Sequence, residues 1–229
     1  PPAGPELTLL EPWRGKIPDA VFGPPYAPPA TDGSGRPRAN LKRAAALLTK
    51  AGWTVRDGAR VNAAGEVFRI EITIRRPSNE RIASAYGRNL KRLGITSTVR
   101  LVDSAQFQGR IDSYDFDMVF GFWGVTLSPG NEQQNYWSSK TAAQPGGRNW
   151  AGVSDPAIDA MIAALGAARD RAELVAAARA LDRILMWNRY VLPLYHDAGQ
   201  RIAYWSRIAR PAEVPVYGLR LETLWRAEE

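Results

Sequence analysis

Cysteine is absent from this sequence of 229 residues, which also has only one histidine and three methionines. The lack of cysteine excludes disulfides, thiolate metal ligands and a cysteine nucleophile. A single histidine, His196, gives little basis for a transition-metal site or a Ser–His–Asp triad. Because His196 follows the apolar run 190–195, we interpret it as a residue at the end of a strand. We therefore expect no catalytic residue, no metal and no cofactor.

Long hydrophobic runs are absent as well. No segment approaches the ~20 apolar residues that a membrane helix needs, so we do not expect the chain to be embedded in a membrane. Residues 1–30 show no basic start followed by an apolar stretch, and hence no secretory signal peptide. The chain begins with Pro1 and not with Met, which we interpret as a mature or trimmed product or a part of something longer.

Runs of basic residues are also missing, although the net charge is +7 and the isoelectric point is near 9.9. Lysine and arginine are scattered along the chain, and nowhere do five of them follow one another. A protein that binds nucleic acid typically gathers its basic residues in one patch or stripe. We therefore do not expect nucleic acid as a partner.

Known catalytic motifs are absent too, since there is no GxSxG, Walker A, HExxH or EF-hand pattern. Asp115 and Asp117 lie two positions apart on a predicted strand, where acids usually form a solvated edge. An alternative is a hydrolase domain with an unrecognised carboxylate site, built from acids such as these two, Glu132 and Asp155. That chemistry would require two carboxylates about 5–10 Å apart across a pocket.

Local patterns divide the chain into regular elements. Proline and glycine dominate residues 1–39, and we predict an extended connector that wraps over a neighbouring surface or acts as a linker. After it we predict, in chain order, a helix at 40–53, a hairpin around Asp57-Gly58, a strand at 67–75 and a helix at 78–94. A strand at 95–102, a helix at 104–113 and a strand at 115–123 follow. Such alternation predicts an α/β fold, a mixed sheet flanked by helices.

The C-terminal part is predicted to hold two helices and two strands. The helices are 155–168 and 171–189, and the strands are 191–196 and 201–206. Short polar residues are suited to N-cap five of the predicted helices, because their side chains can accept a hydrogen bond from the first helical turn. They are Asn40, Ser78 or Asn79, Asp103 or Ser104, Asp155 and Asp170.

Three segments carry a family resemblance: 40-NLKRAAALLTKAGW-53, 87-GRNLKRLGITSTVRLVDSAQFQGRIDSYDFDMVFGFW-123 and 180-ALDRILMWNRYVLPLYH-196. In their order and spacing they resemble the periplasmic solute-binding proteins of peptide-type ABC importers, family 5. The forms 31-TDGSGRPRANLKRA-44 and 128-SPGNEQ-133 resemble the branch that imports microcin-type and other oligopeptides. The resemblance covers about 40–206 and corresponds to the C-terminal portion of a family member.

The resemblance implies the fold of a type II periplasmic-binding-protein lobe. Residues 40–195 would be the second lobe, and 196–229 would return to pack on a first lobe that this sequence lacks. The implied protein is a periplasmic receptor that closes two lobes on a peptide ligand and passes it to the permease subunits of an ABC transporter. A chemosensory or chaperone-like peptide receptor on the same fold is an alternative.

The stretch 117-DMVFGFWGVTLSPGNEQQNYW-137 contains most of the candidate ligand-binding residues. Its amides and hydroxyls suit a peptide backbone, its aromatic rings offer flat apolar walls, and an arginine after the next glycine-rich turn could bind a carboxylate bidentately. The candidates are Trp123, Thr126, Ser128, Asn131, Glu132, Gln133, Tyr136 and Arg148.

Each prominent candidate also has a purely structural interpretation. The family resemblance implies an acid for the ligand's amino group where this chain has Thr126, so either Glu132 replaces it or the ligand is recognised by another group. Glu132 could instead be a first-turn acid of a helix. Trp123 could be a lid on the core, Tyr136 a packing residue, and Arg148 an exposed turn residue.

Overall fold

A computed structural model describes residues 1–124, 126–194, 199, 201–216 and 218–227. The chain divides into two compact units, residues 1–191 and 192–229, which are described separately. In the described part of the chain, no helix has both the length and the apolar character needed to cross a membrane.

The first unit contains α-helices, short 3₁₀ turns and strands. The helices are α1 Gly4–Leu10, α2 Arg38–Lys50, α3 Glu80–Arg92, α4 Ser104–Asp112, α5 Glu132–Trp137, α6 Pro156–Gly166 and α7 Arg171–Asn188. The 3₁₀ turns are Glu11–Trp13, Asp19–Phe22, Pro77–Asn79 and Ser139–Thr141. The strands are β1 Thr54–Arg56, β2 Ala59–Val61, β3 Arg69–Ile74, β4 Thr96–Leu101 and β5 Met118–Val119.

The region with the predicted helix–strand alternation contains a three-stranded parallel sheet. Its order is β4-β3-β5, with Ile72 opposite Val99 on one side and Met118 on the other. Helix α3 connects β3 to β4 and packs on β4, and helix α4 connects β4 to β5. The antiparallel hairpin β1–β2 precedes this sheet. The predicted order of elements from 40 to 123 is therefore confirmed.

Helix boundaries follow the cap chemistry at three of the five predicted helix starts. The predicted cap of α3 by Ser78 or Asn79 is wrong, because Pro77–Asn79 forms a 3₁₀ turn and Asn79 makes no side-chain cap hydrogen bond. The carboxylates of Asp103, Asp155 and Asp170 accept hydrogen bonds from backbone N–H groups in the first turns of α4, α6 and α7. The prediction of Asn40 as a cap is wrong, because α2 begins at Arg38. The Asn40 amide instead donates to the Ala30 carbonyl, 3.0 Å away, and ties the proline-rich segment to the helix.

The N-terminal segment differs from the expected extended conformation. Residues 4–22 form α1 and two 3₁₀ turns, and α1 packs on α7. Pro5 lies in the first turn of α1, where a missing N–H costs no intrahelical hydrogen bond. Leu10 and Val21 are fully buried in the cluster that includes α6 and α7. This part of the segment therefore wraps over a neighbouring surface, as one of our two alternatives had it.

Arg183 on α7 holds this N-terminal segment in place. Its guanidinium pairs with the carboxylate of Glu6, and both side chains are largely buried. The same group donates to the carbonyls of Val21 and Gly23, at 3.3 and 3.1 Å. One arginine thus neutralises a buried acid and satisfies two carbonyls, which fixes both ends of the wrapped segment.

The second unit, residues 192–229, has little regular structure. Strands β6 Ile208–Ala209 and β7 Trp225–Arg226 pair antiparallel, and Leu221–Thr223 forms a 3₁₀ turn. The predictions of strands at 191–196 and 201–206 are wrong for residues 191–194 and 201–206, which form no strand. A strand needs a partner edge, and an apolar run does not supply one. His196 lies outside the described residues.

Candidate ligand-binding site

The edge strand β5 is short, and the chain continues beyond it without a ladder partner in the described part. The predicted strand 115–123 pairs only at Met118 and Val119. Residues 120–124 run on as exposed or half-buried chain, and Phe122 is 71% exposed. This open segment, followed by 126–131, is the part of the sheet edge that other groups can approach.

Four aromatic residues, which we call the aromatic platform, pack at this open segment, and the first of them belongs to it: Trp123, Tyr136, Trp137 and Trp150. The Trp123 ring lies 4.8 Å from that of Trp137 and 5.4 Å from that of Trp150, centroid to centroid. Its indole N–H donates to the Arg148 carbonyl at 3.0 Å. Trp123 is half-buried and held by two neighbouring rings and one hydrogen bond, a packing like the core lid that we considered as its structural alternative.

Tyr136 belongs to the buried side of the platform. Its ring is buried, and its hydroxyl donates to the Gly124 carbonyl at 3.1 Å. The hydrogen bond ties α5 to the open segment twelve residues earlier in the chain. In this structure Tyr136 positions the segment and offers little of its own ring surface to a ligand.

The hydroxyls of Thr126 and Ser128 are on the exposed segment. Thr126 Oγ1 donates to the Ser128 carbonyl at 2.7 Å and accepts from the Ser128 N–H at 3.2 Å, which closes a tight turn. The hydroxyl proton of Thr126 is thus already used within the chain. Val125, between the platform and this turn, lies outside the described residues.

Glu132 lies in the first turn of α5, where it completes the local turn. Its carboxylate accepts from the Gly130 N–H at 2.9 Å and from the Gln133 amide at 3.2 Å. The Gly130 hydrogen bond lowers the pKa of Glu132, and partial burial opposes this only in part. The interpretation of Glu132 as a first-turn acid is confirmed. Gln133 is buried, so its amide acts within α5 and is largely shielded from solvent.

Asn131 borders a cavity of about 480 Å³ between α5 and α6. Gln134, Ser138 and Lys140 line it from one side, and Asp159 lies opposite. The Asp159 carboxylate accepts from the Ser139 N–H at 2.8 Å. It is the cavity's single carboxylate, so the cavity does not bring together the pair of acids that a hydrolase would need.

Arg148 lies against two rings of the platform. Its exposed guanidinium is 5.3 Å from the Tyr136 ring and 5.8 Å from the Trp150 ring, and it donates a long hydrogen bond of 3.4 Å to the Phe122 carbonyl. Cation–π contacts of this kind orient the flat guanidinium. Arg148 is therefore oriented by its neighbours and is more than a freely moving turn residue.

Two residues that the sequence analysis overlooked hold Arg148 and Trp150 in place. Asn149 is fully buried, donates to the Ser138 and Val153 carbonyls, and accepts from the Val153 N–H. Gly121 faces the Trp150 ring so closely that an added Cβ would lie 2.4 Å from it. A glycine inside a predicted strand was the available signal for that close approach.

The remaining acids considered for catalysis have structural partners. The Asp117 carboxylate accepts from the Glu71 N–H at 2.8 Å, and Asp115 pairs with Arg110 at 3.1 Å. Asp155 caps α6. Among the described residues, no group of three metal-ligating side chains is close enough to hold an ion.

The fold is that of a lobe of the type II periplasmic binding proteins. The oligopeptide-binding protein AppA of Bacillus subtilis, solved with a nonapeptide, superposes with a TM-score of 0.60 at 18% identity over 82% of this chain and 38% of that one. The chain belongs to the bacterial extracellular solute-binding proteins, family 5, because the model of that family's middle region matches residues 14–145.

Relatives in the same family are similar over almost the whole chain. A putative binding protein of Brucella melitensis is 45% identical over 98% of this chain, and a probable peptide-binding protein, YejA, of Agrobacterium fabrum is 39% identical over 98%. This chain spans 36% and 37% of the lengths of those two proteins. It thus corresponds to about a third of its curated relatives.

Proposed function

We propose that this chain is the second lobe of a periplasmic peptide receptor that closes on its ligand and delivers it to the permease of an ABC importer. The observation that carries the proposal is the open segment 120–124 together with the polar residues 126–131. The open segment extends the edge strand β5 without a ladder partner in the described part of the chain, and a turn of hydroxyls and amides follows it. The aromatic platform packs at the same segment, and the chain belongs to a family of solute-binding proteins.

Peptide chemistry fits this segment. An extended ligand can add its backbone N–H and C=O groups to an open strand edge, and the exposed polar side chains can adapt to varied peptides. The probable peptide-binding name of the Agrobacterium relative supports the same ligand class. The carboxylate partners described above weigh against the hydrolase alternative.

The role proposed for residues 192–229 follows from their exposed apolar side chains. Trp205, Val216 and Leu221 are among the most exposed large hydrophobic residues of the chain. We propose that these residues return to a first lobe of the complete receptor, whose surface covers them. The ligand would then be enclosed between two lobes, with this chain supplying one side of the site.

Calorimetry on the complete two-lobed receptor tests the proposal. A panel of short peptides, including fragments of the bacterial cell wall, should give measurable heats and raise the melting temperature. The 229-residue chain alone, at the same concentrations, should give no detectable heat, since it holds half the contacts. Absence of heat and thermal shift across the panel would contradict peptide binding, and full affinity of the isolated chain would contradict the two-lobed site.

A further inference from the structure

The charge at the open segment is opposite in sign to the one that the capture of an amino group requires. Arg148 is exposed, lies over the platform and has no ion pair with any residue that the structure describes. Within the described residues, its guanidinium donates only the long hydrogen bond to the Phe122 carbonyl, which occupies a single N–H. Most of its five donors are therefore available to a ligand.

No comparable negative charge is offered by the same segment. Thr126 carries no charge, and its hydroxyl proton is donated to Ser128. Glu132 is ionised but already accepts from Gly130 and Gln133. Both of these hydrogen bonds end on Oε1 and hold the carboxylate in its own turn, so an ammonium group would have to approach Oε2 there. A carboxylate placed beside Arg148 would displace only the long contact to Phe122.

We infer that this site selects its ligand through a carboxylate bound by Arg148, and that the ligand's α-amino group contributes little. The inference rests on the proposed function and specifies its ligand class. The guanidinium fork matches the two oxygens of a carboxylate, and its cation–π contacts with Tyr136 and Trp150 reduce the entropy lost on binding. The carboxylate can be the peptide's C-terminus or an acidic side chain, and both present the same group.

The test uses the complete receptor and a matched series of alanine pentapeptides in calorimetry. One peptide has both ends free, one is acetylated at the amine, one is amidated at the C-terminus, and one is amidated but contains an internal glutamate. We expect amidation to weaken binding about tenfold or more, as loss of a charge-assisted hydrogen bond does. Acetylation should change affinity less than about threefold, the effect of losing a solvent-exposed charge. Recovery with the internal glutamate identifies a side-chain carboxylate as an accepted source, and no recovery identifies the C-terminus.

Variants of Arg148 assign the effect to this residue. Arg148→Gln should abolish the difference between free and amidated peptides, and Arg148→Lys should retain part of it. Arg56→Gln is the control, because Arg56 is exposed on the separate β1–β2 hairpin and has no ion pair with any residue that the structure describes. It should keep the full difference between the two peptides. Thermal unfolding of each variant shows whether it is folded. If Arg148→Gln is not folded, a reduced difference between the free and amidated peptides in Arg148→Lys assigns the effect to this residue, and an undiminished one contradicts it.

Two results would overturn the inference while leaving peptide binding intact. The first is a receptor that loses binding on acetylation and not on amidation. The second is a difference between free and amidated peptides that survives in Arg148→Gln. If no peptide of the series binds to the wild-type receptor, the proposed function fails as well.

Discussion

Removal of the Asn149 side chain should destabilise the fold far more than its position in a loop suggests. The side chain is fully buried and makes three hydrogen bonds, two to the backbone of Val153 and one to the Ser138 carbonyl. Asn149→Ala removes all three and leaves the buried Val153 N–H without an acceptor. At about 1 kcal/mol for each bond, the expected loss in free energy of unfolding is about 3 kcal/mol.

Urea unfolding of the 229-residue chain, followed by tryptophan fluorescence, measures this loss. With a slope of about 2 kcal/mol per molar, the midpoint of Asn149→Ala should fall by about 1.5 M. The fluorescence of the folded state should also change, because Asn149 lies between Arg148 and Trp150 of the platform.

Asn135→Ala serves as the matched control, since Asn135 is exposed on α5 and has no side-chain hydrogen bond within the described residues. Alanine is the better helix former, so its stability should change by less than about 0.5 kcal/mol. If both variants lose equally little, Asn149 does not hold this loop and the reasoning about the site's support is refuted.

Two further predictions concern the N-terminal segment and α5. Leu10→Ala should lower the free energy of unfolding by about 2–5 kcal/mol, because the side chain is fully buried. Leu47→Ala, at a site 54% exposed, should lower it by under about 1 kcal/mol in the same urea assay. Equal effects would contradict a packed N-terminus. The pKa of Glu132 is lowered in the folded state, so above pH 4.5, the ordinary pKa, the wild type should be more stable than Glu132→Gln by under about 1 kcal/mol. This advantage should disappear as the pH falls through the lowered folded-state pKa. Urea unfolding at a series of pH values measures it, and a difference that does not vary with pH would contradict the ionic origin.

Much of the fold was predictable because the signals are local. Periodicity placed α2, α3 and the strands β3 and β4, and three aspartates identified helix starts. The helix at residues 4–10 was missed because proline was taken only as a helix breaker. Its position in the first turn removes that conflict, and its burial depends on α7, far along the chain.

The candidate site was predictable in composition but not in arrangement. The aromatic and amide content of 123–137 marked the region, yet burial of Tyr136 and Gln133 and the exposure of Phe122 could not be read from it. A residue's type is the same whether it faces a ligand or the core. Only neighbours from other segments determine which of these it faces.

The sequence by itself determined the helix–strand order, the helix caps at Asp103, Asp155 and Asp170, and the absence of cysteine chemistry, because each depends on residues close together in the chain or on composition alone. The tertiary structure decided that Trp123 packs within the aromatic platform and that the Glu132 carboxylate accepts hydrogen bonds within its own turn. It also decided that Arg148 lies against two aromatic rings and has no ion pair in the described part. Those outcomes depend on contacts such as that of Trp123 with the Arg148 carbonyl, twenty-five residues apart, which no local pattern encodes.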